Sequence, residues 1–518
     1  TIDSKFVVQS DVAVLKTAFA NGEDFKLSAD ADITGQSVSV PAGKSVVLDL
    51  NGYTLTADNS ATGKIIVLGK MTLKDSSTEK KGKIVASQDY TAASYNGSLI
   101  EIAGEDASMT MESGNISAVR ETPDSNGQYG VGVTDGGDFT MTGGKIEAGW
   151  FAVAGNGNYK TQNSIINITD GELISTADYA VYLPQSGTTT ISGGKVYGAA
   201  GGVCIQRGTL NVEGTALITS KGTGSTGNWG DGTGGLDCAA INVSGAYGIA
   251  TVNIKGGTLI AEAKSLITEG TTYTPVINVT GGTFSDPSVL KYMATNATVD
   301  IKLLSNINIA KTELATGYIL NAANATANLN LNGHDIINSS ETADATPFTQ
   351  IFTVQNGTLN ISGNGNVKCD ASATAKDDGY RMVIEARGYG TVNIHGGSYY
   401  NTQKLNTQID LIYARENGKI NIYGGTFESG KYGTPNNDTD GRYWVLNLKN
   451  TDKNTASIQV SGGTFINFNP ANPNMDDNES YLVTGYEVTR DGSVYTAAHK
   501  VGDGRKEYIV GQTSQENR

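Results

Sequence analysis

A chain of 518 residues with 66 glycines and 9 prolines is longer than an ordinary single globular domain. Its 37 basic and 52 acidic side chains give a net charge of −15. This balance argues against nucleic acid and anionic membrane surfaces as partners, since both are bound through basic patches. No apolar run approaches the length of a membrane span, so we expect no membrane insertion by this chain. The chain opens at Thr1 rather than at methionine, and we expect that an upstream segment has been removed.

The first predicted element is a short amphipathic helix over residues 10–20. Ser10 is its expected N-cap and Gly22 follows its end. Its apolar side is formed by Val12, Leu15 and Phe19. A helix at this place would cap the first strands of the chain, whose open edge would otherwise template aggregation.

An eight-residue pattern, clearest at Val252–Leu259, then recurs through the chain with a Gly-Gly pair near its centre. Other clear copies begin at Phe139, Thr189, Ile277, Val392, Ile420 and Ile458. Degenerate copies lie between them, at Met109–Ile116, Ile166–Leu173, Leu210–Leu217 and Leu359–Val367. Most steps are then about 21 to 30 residues, a period typical of solenoids whose repeats bury their apolar faces by stacking.

The pattern itself predicts strands and a corner. Val252 and Ile254 are apolar with polar residues between them, as in a strand with one buried face. Glycine tolerates the positive φ of a sharp corner, and a second strand follows the Gly-Gly pair. Third strands are indicated by Val131 and Val133, Phe151 and Val153, Val181 and Leu183, Val203 and Ile205, Ile384 and Ala386, and Ile412 and Ala414. Three strands and three corners per repeat predict the rung of a parallel β-helix.

The chain contains two related series of rungs. Val46–Leu55 recurs as Ala327–Ile336, and each series closes on a Gly-Gly-Thr-Phe copy, at Phe284 and at Phe465. A terminal hairpin is expected, with Asp491-Gly492 as its turn. The predicted divisions are an N-terminal cap (1–24), a first lobe (25–290), a second lobe (291–480), a hairpin cap (481–498) and a polar tail (499–518).

These motifs carry a resemblance. The Leu-Asp-Leu-Asn-Gly-Tyr-Thr-Leu stretch at Leu48–Leu55, the Gly-Gly-Thr-Phe rungs and the final segment Gly485–Tyr495 resemble right-handed parallel β-helix repeat proteins of the pectate-lyase-like superfamily. Proteins of this kind occur on gut-bacterial surfaces and in the virions of their phages. The resemblance implies an all-β, right-handed solenoid of two tandem lobes with a short capping helix. It also implies an extracellular or cell-surface location, with the virion surface as the alternative, but it specifies no activity.

The second lobe holds the candidate ligand-binding residues. Arg387 and Arg415 occupy the same rung position, and Glu385 aligns with Tyr413 beside them. Tyr423 and Trp444 belong to a group of aromatic residues in the same lobe, and exposed rings of this kind stack on the apolar faces of sugars. Two structural alternatives stay open: like residues stack simply because rungs resemble one another, and aromatic ladders also stabilise sheets.

Catalytic and metal signatures are weak. His334, His395 and His499 are scattered without a nucleophile motif, and we identify no carboxylate pair suited to glycoside cleavage. We therefore predict no catalytic residue and no cofactor. Calcium is the one alternative, at the acidic turns 436–440 and 476–479, although solvated turns explain them better. Cys204 and Cys238 either form a disulfide or remain buried thiols.

The main functional hypothesis is a non-enzymatic extracellular protein, a surface adhesin or structural recognition module that contacts glycans or a host or cell-surface receptor. The first alternative is a phage virion appendage, a fibre or spike component that binds a receptor, in which case an oligomer is expected. The second is a polysaccharide lyase or glycoside hydrolase, in which case Arg387→Ala or Arg415→Ala would abolish turnover.

Overall fold

The computed structural model describes residues 7–8, 11–58, 63–88, 97–119, 128–155, 163–226, 233–269, 272–309, 317–338, 348–369, 380–401, 409–429, 443–473 and 479–500. The chain forms two compact units. The first comprises Thr1–Asn306 and Leu320–Asn332, and the second comprises Ile307–Ile319 and Gly333–Arg518. The five divisions given above stay a prediction.

The first unit is a parallel β-helix with three sheet faces. Its first face consists of Val7–Val8, Phe25–Lys26, Ser45–Asp49, Lys70–Lys74, Ser108–Met111, the first halves of Asp138–Ala148 and Ser164–Ser175, Gly187–Ile191, Gly208–Val212, Ala250–Ile254 and Val276–Val279. Its second face consists of Ala31–Asp32, Thr54–Ala57, Lys83–Ala86, Asn115–Ala118, the second halves of the same two long strands, Lys195–Gly198, Leu217–Ser220, Thr258–Ala261, Thr283–Phe284, Thr298–Lys302 and Tyr318–Asn330. Its third face consists of Val38–Val40, Ile65–Val67, Gly97–Ala103, Gln128–Thr134, Val153–Ala154, Tyr179–Leu183, Gly201–Ile205, Ala239–Val243 and Lys264–Thr268.

The alternation in sequence decides which side chains enter the core. Val252 lies between Leu210 and Ile277 in the parallel register, and Val252, Ile254 and Leu259 are fully buried. Each rung therefore places its apolar residues on those of its neighbours, as the repeat predicted. The predicted all-β parallel β-helix is confirmed.

The Gly-Gly corners need two glycines for two reasons, as the last copy illustrates. Gly463 has φ of +102°, a conformation that a residue with a Cβ rarely adopts. Gly462 has no positive φ, but a Cβ added to it would lie 2.2 Å from the carbonyl oxygen of Tyr423 in the preceding rung. The second glycine thus makes the turn, and the first lets adjacent rungs approach.

The predicted N-terminal helix is present at Val12–Asn21. Its N-cap is Asp11, so the prediction of Ser10 was wrong by one residue. The Asp11 carboxylate accepts a 2.8 Å hydrogen bond from the backbone N–H of Ala13, which satisfies a donor that the helix leaves unpaired. Gly22 ends the helix with φ of +81°, and Leu15, Ala18 and Phe19 are buried.

The middle of the third face of the first unit, at Tyr179–Leu183, Gly201–Ile205 and Ala239–Val243, is buried on both of its sides. Tyr182, Cys204 and Asn242 occupy successive outward positions in register and are all buried. Residues 233–238, which precede the strand Ala239–Val243, help to cover the outer side of this face. Thr233 Oγ1 donates a 2.9 Å hydrogen bond to Asp178 Oδ2. A short 3-10 helix, Pro287–Tyr292, follows further along the chain, with the Asp286 side chain accepting from Ser288 N.

The second unit has the same three-face construction. Its first face consists of the second halves of Phe348–Ser362 and Tyr380–Ile394, with Lys419–Ile422 and Ser457–Val460. Its third face consists of the first halves of the same two long strands, with Ile409–Ala414 and Tyr443–Leu448. Its second face consists of Ile307–Asn308, Ile336–Asn338, Asn366–Cys369, Ser398–Asn401, Thr426–Ser429 and Thr464–Ile466. A 3-10 turn occupies Asn450–Asp452.

The core of the second unit contains a buried aromatic stack. Tyr399 and Phe427 lie 5.0 Å apart between ring centroids, as do Phe427 and Phe465. The antiparallel hairpin of Tyr486–Asp491 and Val494–His499 then pairs with Thr464–Ile466 at the end of the second face. Gly492 lies in its turn with φ of +59°.

Candidate functional site

Two of the charged residues predicted on the third face of the second unit, Glu385 and Arg415, form an ion pair in which the carboxylate is buried and the guanidinium is 25% exposed. Glu385 lies opposite Tyr413 in the register, and its side chain is only 2% exposed. Arg415 donates from Nε to Glu385 Oε1 at 2.7 Å. The other carboxylate oxygen accepts from Gln350 Nε2 at 3.4 Å and from Thr353 Oγ1 at 3.5 Å. Both oxygens of Glu385 are therefore engaged within the protein.

Arg415 is held from a second direction. Its Nη1 atom contacts Glu416 Oε1, and Glu416 in turn donates its backbone N–H to Asp452 Oδ2 at 2.7 Å. Burial disfavours the charged guanidinium, but the hydrogen bond and the negative charge of Glu385, with that of Glu416, raise the pKa of Arg415 overall. The guanidinium is thus a fixed cation between two carboxylates.

Arg387 and Tyr413 complete this group. Arg387 is partly exposed, and its buried Nε atom has no hydrogen-bond partner within the described residues. Tyr413 is half-buried. Burial and the charges of Asp410, Glu385 and Asp452 outweigh the opposing charge of Arg415 and raise the pKa of its phenol to about 12.

Trp444 and Tyr423 lie in different surroundings. Trp444 is partly buried on the third face, opposite Asp410 in the register. Tyr423 is 50% exposed at a Gly-Gly corner, where its ring stacks on His395 with centroids 4.7 Å apart and planes 9° from parallel. The six predicted residues therefore do not form one site: five lie on or beside the third face and Tyr423 stands at a corner.

A groove is lined by the corner glycines that directly follow the two residues of the exposed ring pair, although the rings themselves do not line it. His395 immediately precedes Gly396, and Tyr423 immediately precedes Gly424; both glycines line a groove of about 480 Å³. Its other lining residues are Asn364, Gly365, Gly397, Ser398, Gly425, Thr426, Gly463, Thr464 and Thr496. Small residues make the groove floor, and hydroxyl and amide groups supply its polar atoms.

A second concave surface, on the first unit, was missed by the sequence reasoning. A cleft of about 830 Å³ is lined by Arg207, Tyr247 and Tyr273 together with residues around 163–165, 186–188 and 248–249. Tyr247 and Tyr273 are 39% and 47% exposed. Both tyrosines lie in connecting segments that do not follow the repeat. An exposed aromatic residue in an irregular connection was the one signal available.

The other sequence candidates are resolved only in part. The acidic turn 436–440 lies outside the described residues, as do residues 476–478 of the second turn, while Glu479 forms an ion pair with Lys453 at 3.7 Å. Across the described ranges, no group of three or more His, Cys, Asp or Glu side chains is arranged to hold a metal ion. The alternative of a disulfide is not realised, because Cys204 and Cys238 are both buried thiols.

Comparison with protein-family models, with curated proteins and with solved structures found no match to this chain. The parallel β-helix architecture therefore rests on the structure itself, and membership of the pectate-lyase-like superfamily stays a prediction. Within the described part of the chain, no helix is long and apolar enough to cross a bilayer.

Proposed function

We propose that this chain is a non-enzymatic extracellular recognition module that binds glycans on a cell or host surface. The observation that carries the proposal is the exposed His395–Tyr423 ring pair beside the groove of the second unit. Aromatic rings offer flat apolar faces to the C–H surfaces of sugars, and the tyrosine hydroxyl adds a polar tip.

The surroundings of the ring pair support sugar binding. The groove is open, and its floor of glycines lets a ligand approach the backbone closely. Ser398, Thr426 and Thr464 bring hydroxyl groups that both donate and accept hydrogen bonds, which matches the hydroxyl groups of a saccharide. Parallel strands on both sides hold these residues, so the surface is preorganised.

The engagement of the carboxylates on the third face of the second unit supports binding rather than cleavage on that face. Glu385 is paired with Arg415, and Asp410 accepts a 2.8 Å hydrogen bond from Asn447 Nδ2. A hydrolase or lyase needs an acid or a base that reaches its substrate. Buried carboxylates that are already hydrogen-bonded serve the fold instead.

The test is binding of the full chain to a panel of neutral and acidic polysaccharides by isothermal calorimetry, with mass spectrometry of the recovered polymer. We expect binding without shorter products. The double change His395→Ala and Tyr423→Ala should weaken binding about tenfold, equivalent to about 1.4 kcal/mol. Tyr389→Ala is the matched control, since Tyr389 is 75% exposed and, unlike His395 and Tyr423, does not immediately precede a glycine of the groove.

Two results would overturn the proposal. Appearance of oligosaccharide products would move the chain into the lyase or hydrolase class. Equal binding by the double variant, the control and the unchanged chain would remove the ring pair from any ligand site.

A further inference from the structure

We propose that the cleft of the first unit is a separate site for an oligosaccharide that ends in a single carboxylated sugar. Both the cleft and the groove of the second unit are proposed to bind saccharides, but they are separate sites with different lining residues. It differs from the groove in carrying a cation.

The floor of the cleft is built where successive strands enter the first face. Ile165, Thr188 and Thr209 occupy equivalent positions in the parallel register. Gly187 and Gly208 precede the latter two with φ of +125° and +83°. A Cβ at Gly187 would lie 2.0 Å from the carbonyl oxygen of Ser164, so glycine at this position lets the adjacent strands approach closely.

The apolar wall of the cleft is unusually exposed. Tyr247, Tyr273, Ile165 and Ile249 are all exposed, although each is large and hydrophobic. The backbone of the two tyrosines is held by hydrogen bonds, because Tyr247 N donates to Gln206 O and Tyr273 N donates to Gly245 O, both at 3.2 Å. Exposed apolar side chains grouped in a concavity mark binding surfaces.

Arg207 supplies the charge. Its side chain lies over Gly248, where an added Cβ would come within 2.8 Å of Arg207 Cδ and 3.0 Å of Nε. No aspartate or glutamate is among the described residues that line the cleft, although the Asp138 carboxylate accepts a 2.9 Å hydrogen bond from the backbone N–H of Ile165 at its edge. Arg207 forms no ion pair with any of the residues that the structure describes. The guanidinium of Arg207 is therefore available to an anionic ligand.

The chemistry of the cleft selects the ligand. A guanidinium binds a carboxylate through two parallel hydrogen bonds, and tyrosine rings take the apolar face of a pyranose. Thr188 and Thr209 add hydroxyl groups for the sugar hydroxyls. One arginine matches one carboxylate, whereas a nucleic acid backbone would require several cations. A glycan with one terminal acidic sugar therefore fits a cleft with one arginine better than a polymer that carries a charge on every sugar residue.

The test compares sialyllactose with lactose, which differ only by the terminal carboxylated sugar, using calorimetry or ligand-observed NMR on the full chain. We expect sialyllactose to bind at least about tenfold more tightly. Arg207→Gln should reduce sialyllactose affinity to the lactose level. The double change Tyr247→Ala and Tyr273→Ala should weaken the binding of both sialyllactose and lactose. The matched control is Lys70→Gln, which removes one positive charge from an exposed strand position of the same unit.

The outcomes are distinguishable from those of the proposed function. His395→Ala with Tyr423→Ala should leave sialyllactose binding unchanged. Equal affinity for the two ligands, or an equal loss in Arg207→Gln and Lys70→Gln, would overturn the inference even if the groove of the second unit binds glycans. If Arg207→Gln fails to fold by circular dichroism, Arg207→Lys replaces it. That variant keeps the charge without the two-pronged geometry, so unchanged sialyllactose affinity in it would also overturn the inference.

Discussion

The Nε atom of Arg415 lies 2.7 Å from Oε1 of Glu385, which belongs to the neighbouring strand of the same face. The pair brings together two residues that the sequence singled out for ligand binding. Its carboxylate is buried, however, and its guanidinium also contacts Glu416. The geometry is that of a structural ion pair, which leads to the first prediction.

Arg415→Ala should destabilise the protein by about 3 kcal/mol, because it leaves the Glu385 carboxylate buried without its partner. The combined change Arg415→Met and Glu385→Leu should cost less, since no unpaired charge remains. Urea unfolding followed by circular dichroism measures both. Lys419→Ala, at an exposed position, is the control and should change stability by less than about 0.5 kcal/mol. A single variant as stable as the double variant would contradict the ion-pair interpretation.

Asp75→Asn should destabilise the protein by about 2 kcal/mol at neutral pH. Asp75 is buried, and it accepts backbone hydrogen bonds from Gly52 at 2.9 Å, Ser77 at 3.0 Å and Gly82 at 2.6 Å. Burial raises the pKa of its carboxyl group, but the hydrogen bonds from Ser77, Gly82 and Gly52 outweigh burial and lower it below 3.8.

A carboxyl group whose pKa falls on folding stabilises the protein above its unfolded pKa and loses that contribution as the pH drops through the folded value. The stability difference between Asp75→Asn and the unchanged chain should therefore shrink as the pH falls below about 4. Thermal unfolding at a series of pH values measures it. Asp106→Asn, at an exposed aspartate, should show no such convergence. A difference that stays constant down to the lowest pH would exclude the charged role of Asp75.

Tyr413→Phe should make the protein more resistant to alkali. The pKa of the Tyr413 phenol is raised on folding to about 12, so its stabilising contribution is complete below the unfolded value of 10.0 and is lost as the pH rises towards 12. The absorbance of phenolate, recorded for the unchanged chain minus the variant, should show one group titrating near pH 12. Titration of that group near pH 10 would mean that the side chain is not buried among carboxylates.

None of the three cysteines should react with a thiol reagent in the native protein, and all three should react after denaturation. Cys204, Cys238 and Cys369 are buried thiols outside any disulfide, and burial raises the pKa of Cys238, which lowers its thiolate content. Counting modified thiols by mass spectrometry measures this. Only one reactive thiol in the denatured, unreduced protein would indicate that two cysteines pair in solution.

The repeat specified most of the fold in advance because its signals are local. Alternating residues such as Val252 and Ile254 assign the buried side of a strand, and a Gly-Gly pair such as Gly462-Gly463 assigns the corner. The N-cap was misplaced because Ser10 and Asp11 are both good capping residues, and only the backbone geometry distinguishes them.

The candidate site was less predictable for a physical reason. The alternation of residues along a strand identifies an outward position, but it does not show whether that position faces solvent or is covered by another segment of the chain. Glu385 and Arg415 were therefore assigned to a surface, although Glu385 is buried. Arg207, Tyr247 and Tyr273 come together only because connections of unequal length meet on one side of stacked strands, and no spacing in the sequence encodes that meeting.

The paired demands of Gly462 and Gly463 also bear on how such a chain changes over generations. Altering one codon at a corner either strains the turn itself or pushes against the rung before it. A whole rung inserted by gene duplication brings its own corner and an apolar surface that already fits its neighbours. The fold therefore accepts the gain of a rung of about 25 residues more readily than the exchange of a corner glycine.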